Sequence, residues 1–207
     1  MHPELSYDEA VANREKVLIT GKFYKADVFV ASSRGQRIVV KDFGNKGFFE
    51  RNLVGRTVIA RECRAYAALA GIDGLPSRFK RLTPFAIAIE YLEGRDLGSH
   101  LPGELGPGII KQFELIIADL HERGWVHLDL QRRSNILLVD GKVFVVDLAS
   151  AFHPGGVWLI GRCLTWALSL ADRLSLVKLK SLYAPELMSA EERMWRRLRN
   201  LVMPRKW

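Results

Sequence analysis

The stretch from Asn135 to Asp147 restricts the fold more than any other part of the chain. Asn135-Ile-Leu-Leu-Val139, then Asp140-Gly141, then Lys142-Val-Phe-Val-Val-Asp147 is a pair of apolar strands joined by a dipeptide that favours a type I′ turn. If Val139 pairs with Lys142, the ladder puts Asn135 opposite Val146 and next to Asp147. Two polar side chains then stand at the open end of an apolar hairpin. The preceding loop, His127-Leu-Asp129-Leu-Gln-Arg-Arg-Ser134, delivers Asp129 to the same end. Taken singly, Asp129 could cap a turn and Asn135 could open the hairpin through an Asx-type bond. Together with Asp147 they form a set of two carboxylates and an amide, which suits a hard divalent cation such as Mg²⁺.

A second pair of charges stands out for its cost. Lys41 follows the apolar strand Ile38-Val-Val, and Glu62 lies on the apolar face of a helix, three residues after Ile59 and four before Tyr66. A carboxylate among apolar neighbours is expensive unless paired. Lys41 and Glu62 satisfy each other if that helix packs beside that strand, leaving the ammonium poised for a phosphate.

The rest of the pattern gives the frame. Val17-Leu-Ile, Val28-Phe-Val and Ile38-Val-Val read as strands, separated by Gly21, Ser32-Ser33 and Gly35. Residues 55–70 switch to helical spacing through Ile59, Cys63, Tyr66 and Ala70, and Gly71 and Gly74-Leu-Pro76 end that helix. Phe85 to Leu92 predicts another strand, Gly103 to Gly108 a loop, and Ile109 to Glu122 a helix burying Phe113, Ile116, Ile117 and Leu120. The tract 157–171 is apolar on most faces, holds Arg162 and is short for a bilayer, so it predicts a core helix. Ser189-Ala-Glu-Glu192 reads as a capping box opening the last helix, with Ala184-Pro-Glu leading into it. The order predicts an α+β, two-lobed body: residues 1–92 mainly sheet with one helix, residues 93–207 a mostly helical lobe.

At these residues the chain resembles the protein-kinase-like superfamily. Val39-Val-Lys41 is similar to the lysine strand, Arg61-Glu62 to the helix glutamate that clamps it, and Ile89-Glu-Tyr-Leu-Glu-Gly94 to the hinge. His127-Leu-Asp129 with Asn135 resembles the catalytic loop, and Asp147-Leu-Ala149 stands where Asp-Phe-Gly is usual. The compact bacterial members, RIO-like kinases and the heptose or Kdo kinases of the lipopolysaccharide core, are closest in style.

The resemblance implies a two-lobed kinase fold with a shortened C-lobe and an ATP- and Mg²⁺-dependent transfer of the γ-phosphoryl group to a hydroxyl. Asp129 would orient or deprotonate the acceptor, Asn135 and Asp147 would hold Mg²⁺, and Lys41, clamped by Glu62, would contact the phosphates. Gly21 would belong to the phosphate-covering loop, and Glu90 to Leu92 would offer backbone groups to adenine. His127 would brace the loop. The departures are that Gly21-Lys-Phe-Tyr-Lys-Ala-Asp-Val28 keeps one glycine of the usual loop, Asn135 comes six residues after Asp129, one more than usual, and Leu128 replaces an arginine. With no evident activation segment after Ala149, switching by loop phosphorylation is not expected. A lipopolysaccharide-core sugar is the first acceptor to consider, a protein Ser/Thr residue the second. A pseudokinase that binds nucleotide or a partner without turnover is a further alternative.

Charge adds an address. The 207 residues carry a net +8, of which residues 151–207 hold ten Lys/Arg against four Asp/Glu. The cluster Arg193, Arg196, Arg197, Arg199, Arg205 and Lys206, interleaved with Trp195, Leu198, Leu201 and Trp207, suits either a solvated helix face or a helix lying on an anionic membrane surface. Nucleic acid ranks third, since no recognised binding motif accompanies the charge. Cys63 and Cys163 cannot make a disulfide framework, and the polar, acidic start is unlike a secretory signal. A cytoplasmic location, peripheral to the inner membrane face, is the expectation.

Overall fold

The computed structural model describes residues 5–101, 104–155 and 158–202, the side chains of 158–162 and 198–202 excepted. The chain is α+β, 46% helical and 23% strand. It divides into two compact units, neither continuous in sequence. One is Met1–Gly71, Leu75–Glu93 and Asp147–Ser150; the other is Ile72–Gly74, Gly94–Val146 and Ala151–Trp207.

The first unit is built on an antiparallel sheet of β1 (Arg14–Ile19), β2 (Asp27–Ser33), β3 (Gln36–Asp42), β4 (Phe79–Thr83) and β5 (Ala86–Glu90), in the order β1-β2-β3-β5-β4. Arg34 and Gly35, both left-handed at φ +50° and +77°, close the two-residue turn between β2 and β3. Alternation along β3 sorts its neighbours. Ile38 and Val40 pack with Phe29, Ala31 and Ala88 against Leu5 and against Ala10 of α1 (Tyr7–Ala12). Lys41, one residue on, points to the opposite face and to α2 (Arg56–Ala68). α2 follows a π-helical turn over Glu50–Gly55 and buries Ile59, Glu62, Ala65 and Tyr66, with Tyr66 stacked on Phe79 of β4 at 5.5 Å.

The second unit contains α3 (Pro107–Glu122), α4 (Trp158–Tyr183) and α5 (Ala190–Val202) with the short sheet β6 (Arg95–Asp96), β7 (Ile136–Val139) and β8 (Lys142–Val145). The β7–β8 hairpin has the expected register: Val139 pairs with Lys142 and Ile136 with Val145, and the Val146 amide donates to the Asn135 carbonyl at 2.9 Å. Asp140 and Gly141 are both left-handed, φ +48° and +77°, as a type I′ turn requires. Pro107 at the start of α3 and Ile110, Phe113, Ile116, Ile117 and Leu120 along its buried face account for that helix.

α4 departs from the core helix expected over 157–171. It runs to Tyr183, and within its first half Leu164, Trp166 and Leu170 are exposed while Ser169 is buried. The burial lies further on, at Asp172, Val177, Leu179 and Tyr183. The face that packs inward thus includes Ser169, Asp172 and Ser175, and Asp172 accepts backbone amides of a neighbouring loop. A 3₁₀ turn over Pro185–Leu187 leads to α5, which opens on the reciprocal box foreseen in the sequence. The Ser189 amide donates to Glu192 Oε2 at 2.7 Å and the Glu192 amide to Ser189 Oγ at 3.1 Å. Gly103 and Val157, and Arg205, Lys206 and Trp207 of the basic cluster, lie outside the described residues.

Candidate functional site

In the first unit, the pairing argued for Lys41 and Glu62 is present and has a third member. Lys41 Nζ donates to Glu62 Oε1 and to Asp147 Oδ1, each at 2.6 Å. β3 and α2 bring the first two together across the sheet face. Asp147 arrives with the returning segment, whose Leu148 is fully buried. Asp147 itself is left-handed at φ +66°, a conformation that costs a non-glycine residue on the order of 1 kcal/mol and is held by its surroundings. Its Oδ1 also accepts the Ala149 amide at 3.4 Å.

Burial opposes both charges of the central pair. Burial pulls the Lys41 ammonium down, but the Glu62 and Asp147 carboxylates outweigh it and hold the group above its ordinary value. Burial pushes Glu62 up, and the Lys41 ammonium offsets only part of that. Glu62 Oε2 is buried without a hydrogen-bond partner among the described residues. Tyr66, beside them, has its hydroxyl pushed well up, first by burial and then by the two carboxylates. The result is a charged lysine fixed between two carboxylates.

The remaining first-unit candidates behave differently from one another. Gly21 is buried, and a Cβ there would sit 2.1 Å from the Lys25 carbonyl oxygen, so the turn tolerates only glycine. Its amide is already engaged, donating to Asp27 Oδ1 at 2.8 Å. Glu90 ends β5 and turns its carboxylate to Arg78 at 2.9 Å and to the Ser77 amide and hydroxyl at 2.9 and 2.8 Å. Partial burial pushes this carboxyl up, but those bonds prevail and hold it below its ordinary value. Leu92 lies two residues beyond the strand.

In the second unit, the loop from His127 to Asn135 is held from inside. Asp172 of α4, fully buried, accepts the His127 amide at Oδ2 (2.8 Å) and the Leu128 amide at Oδ1 (2.9 Å), with His121 Nε2 3.0 Å from Oδ2. Leu128 between these anchors is left-handed at φ +66°, a rare state for a bulky residue. His127 is fully buried, with Nε2 3.3 Å from the Val146 carbonyl, and ties the loop to the hairpin. Asn135 Nδ2 donates to the Asp129 carbonyl at 3.0 Å and to Asp129 Oδ2 at 3.2 Å. Two successive turns, Arg132 N–H to Asp129 O and Asn135 N–H to Arg132 O, fold this loop back on itself. Arg132 Nε lies 3.3 Å from Asp129 Oδ2, and Arg133 donates to the Tyr183 hydroxyl at 3.0 Å.

Asp172 was not singled out in the sequence. The reasoning that marks Glu62, a carboxylate in an apolar helix, applies to it equally. Among the described residues no group of three or more His, Cys, Asp or Glu could hold a metal ion, and no helix is long and apolar enough to cross a membrane. No known protein family's model matches the chain, and no curated protein is similar to it in sequence.

Proposed function

We propose that the chain is a minimal kinase-like phosphotransferase, moving the γ-phosphoryl group of ATP to a hydroxyl. The observation that carries this reading is the double ion pair of Lys41. An ammonium kept charged between a buried glutamate and a strained aspartate suits meeting phosphate at a fixed place. In this reading Asp129 accepts the proton of the attacking hydroxyl, and Asp172 keeps the loop that carries it in one conformation. Catalysis would rest on positioning and charge neutralisation.

In this reading Asn135 and Asp147 would hold Mg²⁺: the Asn135 amide nitrogen faces Asp129, its carbonyl is an oxygen donor, and Asp147 is a carboxylate, both donor types suited to a hard cation. When bound there, Mg²⁺ would neutralise charge on the phosphate oxygens. Turnover of ATP with Mg²⁺ should fall at least about a hundredfold in Asp147→Ala, the scale for losing one group that stabilises transition-state charge. Equal activity in both proteins would reject the assignment.

For the acceptor we favour a lipopolysaccharide-core sugar over a protein side chain. Only residues 148–157 separate Asp147 from α4, which leaves no room for a long activation segment, and α5 exposes Arg193, Met194, Trp195, Arg196 and Arg197 in a way that suits an anionic membrane surface. Labelled ATP with delipidated core oligosaccharide or with cell lysate separates the two; label on protein alone rejects the sugar. One observation favours nucleotide binding without turnover, namely that the Gly21 amide is tied to Asp27 and not offered to phosphate. Thermal stabilisation by ATP with no transfer to any acceptor would select that second reading.

A further inference from the structure

Two segments of the first unit carry an aromatic pair beside lysine. Lys22-Phe23-Tyr24-Lys25 forms the turn between β1 and β2, and Lys46-Gly47-Phe48-Phe49 leads into the π-helical turn before α2. They are distant in sequence but joined in space. Lys46 Nζ donates to the Gly21 carbonyl at 2.8 Å and to Asp27 Oδ1 at 2.7 Å, the oxygen that also accepts the Gly21 amide. Phe23, Tyr24, Phe48, Phe49 and Leu53 are each between 66% and 82% exposed, and Phe48 and Phe49 meet edge to face with centroids 5.6 Å apart.

These rings are displayed by a fixed backbone. Phe23 is left-handed at φ +55°, where a side chain other than glycine is strained, and the buried Gly21 admits no Cβ. The charge beside them is positive on balance. Lys22 and Lys25 are exposed and Asp27 is paired with Lys46, while Glu50, which accepts the Gly47 amide at 3.2 Å, contributes one negative charge. Large exposed apolar patches mark an interaction site. Rings carried on turn tips and flanked by cations match the boundary between anionic headgroups and acyl chains better than a protein partner, whose anchors fill pockets.

We infer that this face of the first unit is a docking surface for an anionic lipid bilayer. Phe23, Tyr24, Phe48 and Phe49 seat at the headgroup boundary, and Lys22 and Lys25 meet lipid phosphates. The inference does not require the phosphotransferase reading, and all of its residues lie in the first unit.

Flotation of the purified chain with phosphatidylcholine vesicles, with or without phosphatidylglycerol, tests it. Binding should require phosphatidylglycerol and weaken as salt is raised. The paired variants Phe23→Ser/Tyr24→Ser and Phe48→Ser/Phe49→Ser should each lower the partition coefficient by about tenfold or more. Lys22→Gln/Lys25→Gln should erase the preference for the anionic lipid. Leu115→Ser, on the exposed face of α3, should bind as wild type does, and melting curves of each variant check that it folds. Three outcomes would overturn the proposal. The wild type fails to float; the ring variants float as well as wild type while Arg193→Gln/Arg196→Gln/Arg197→Gln does not; or the rings prove to mediate self-association in the absence of vesicles.

Discussion

Lys41 holds two carboxylates, and its removal should expose the cost of burying Glu62. Lys41→Met takes from the fully buried Glu62 its ion-pair partner, which should cost about 3–5 kcal/mol near neutral pH. Glu62 is already raised from its ordinary value by burial, and without the ammonium it rises further. The folded variant then keeps a proton that the unfolded chain releases, so its stability should increase as pH falls from about 7 towards the ordinary glutamate value. Urea unfolding at several pH values checks this, and a deficit independent of pH would contradict it. Glu62→Gln should cost less, since Lys41 keeps Asp147. This pair was legible because an unpaired charge on an apolar face announces a missing partner. Asp172 makes the same announcement, but besides His121 its partners are the backbone amides of His127 and Leu128, which have no signature in a sequence. The left-handed backbone of Leu128 and Asp147 was equally hidden, because neither is a glycine.

Elements declared themselves according to how local their causes are. The β7–β8 hairpin could be read to the residue, since Asp140-Gly141 sets both turn type and register. β4 was missed because Phe79-Lys-Arg-Leu-Thr83 carries no apolar alternation and is a strand only because β5 lies beside it. α4 ran beyond the apolar tract because Asp172 and Lys180, polar on paper, are its buried points of attachment. Lys180 reaches Glu114 of α3 at 2.5 Å and Glu192 of α5 at 2.8 Å. Partial burial pushes Glu192 up, but Lys180 and the Ser189 contacts prevail and hold it below its ordinary value. Its stabilisation is therefore full above the ordinary carboxylate value and lost as pH falls through the lower, folded one. Glu192→Gln should flatten that part of the acid limb of an unfolding curve, and Ser189→Ala should cost about 1 kcal/mol. Faster hydrogen exchange at the Glu192 amide, which Ser189 caps, would report the latter.

At the scale of the whole chain, the sequence order hides a topological debt. The first unit is finished by Asp147–Ser150, and the second includes Ile72–Gly74, so the backbone passes repeatedly between them. Neither unit can unfold without releasing a segment the other depends on in sequence, and the full chain should therefore melt in a single transition. Calorimetric and van't Hoff enthalpies should agree. A fragment ending at Glu93 should melt lower than the whole, having lost Leu148 from its core and one carboxylate from Lys41. The crossing at Asp147–Ser150 was not legible, because it is a short turn whose apolar residues look like the end of a hairpin. It has a consequence for synthesis. Lys41 and Glu62 leave the ribosome early, whereas Asp147 follows only after residues 94–146 have been made. At about 5–20 residues per second, that interval is on the order of several seconds. Throughout it the nascent N-terminal sheet is complete in outline but open where Leu148 will dock. A ribosome stalled before that point would present an unfinished core to whatever shields apolar surface at the tunnel exit.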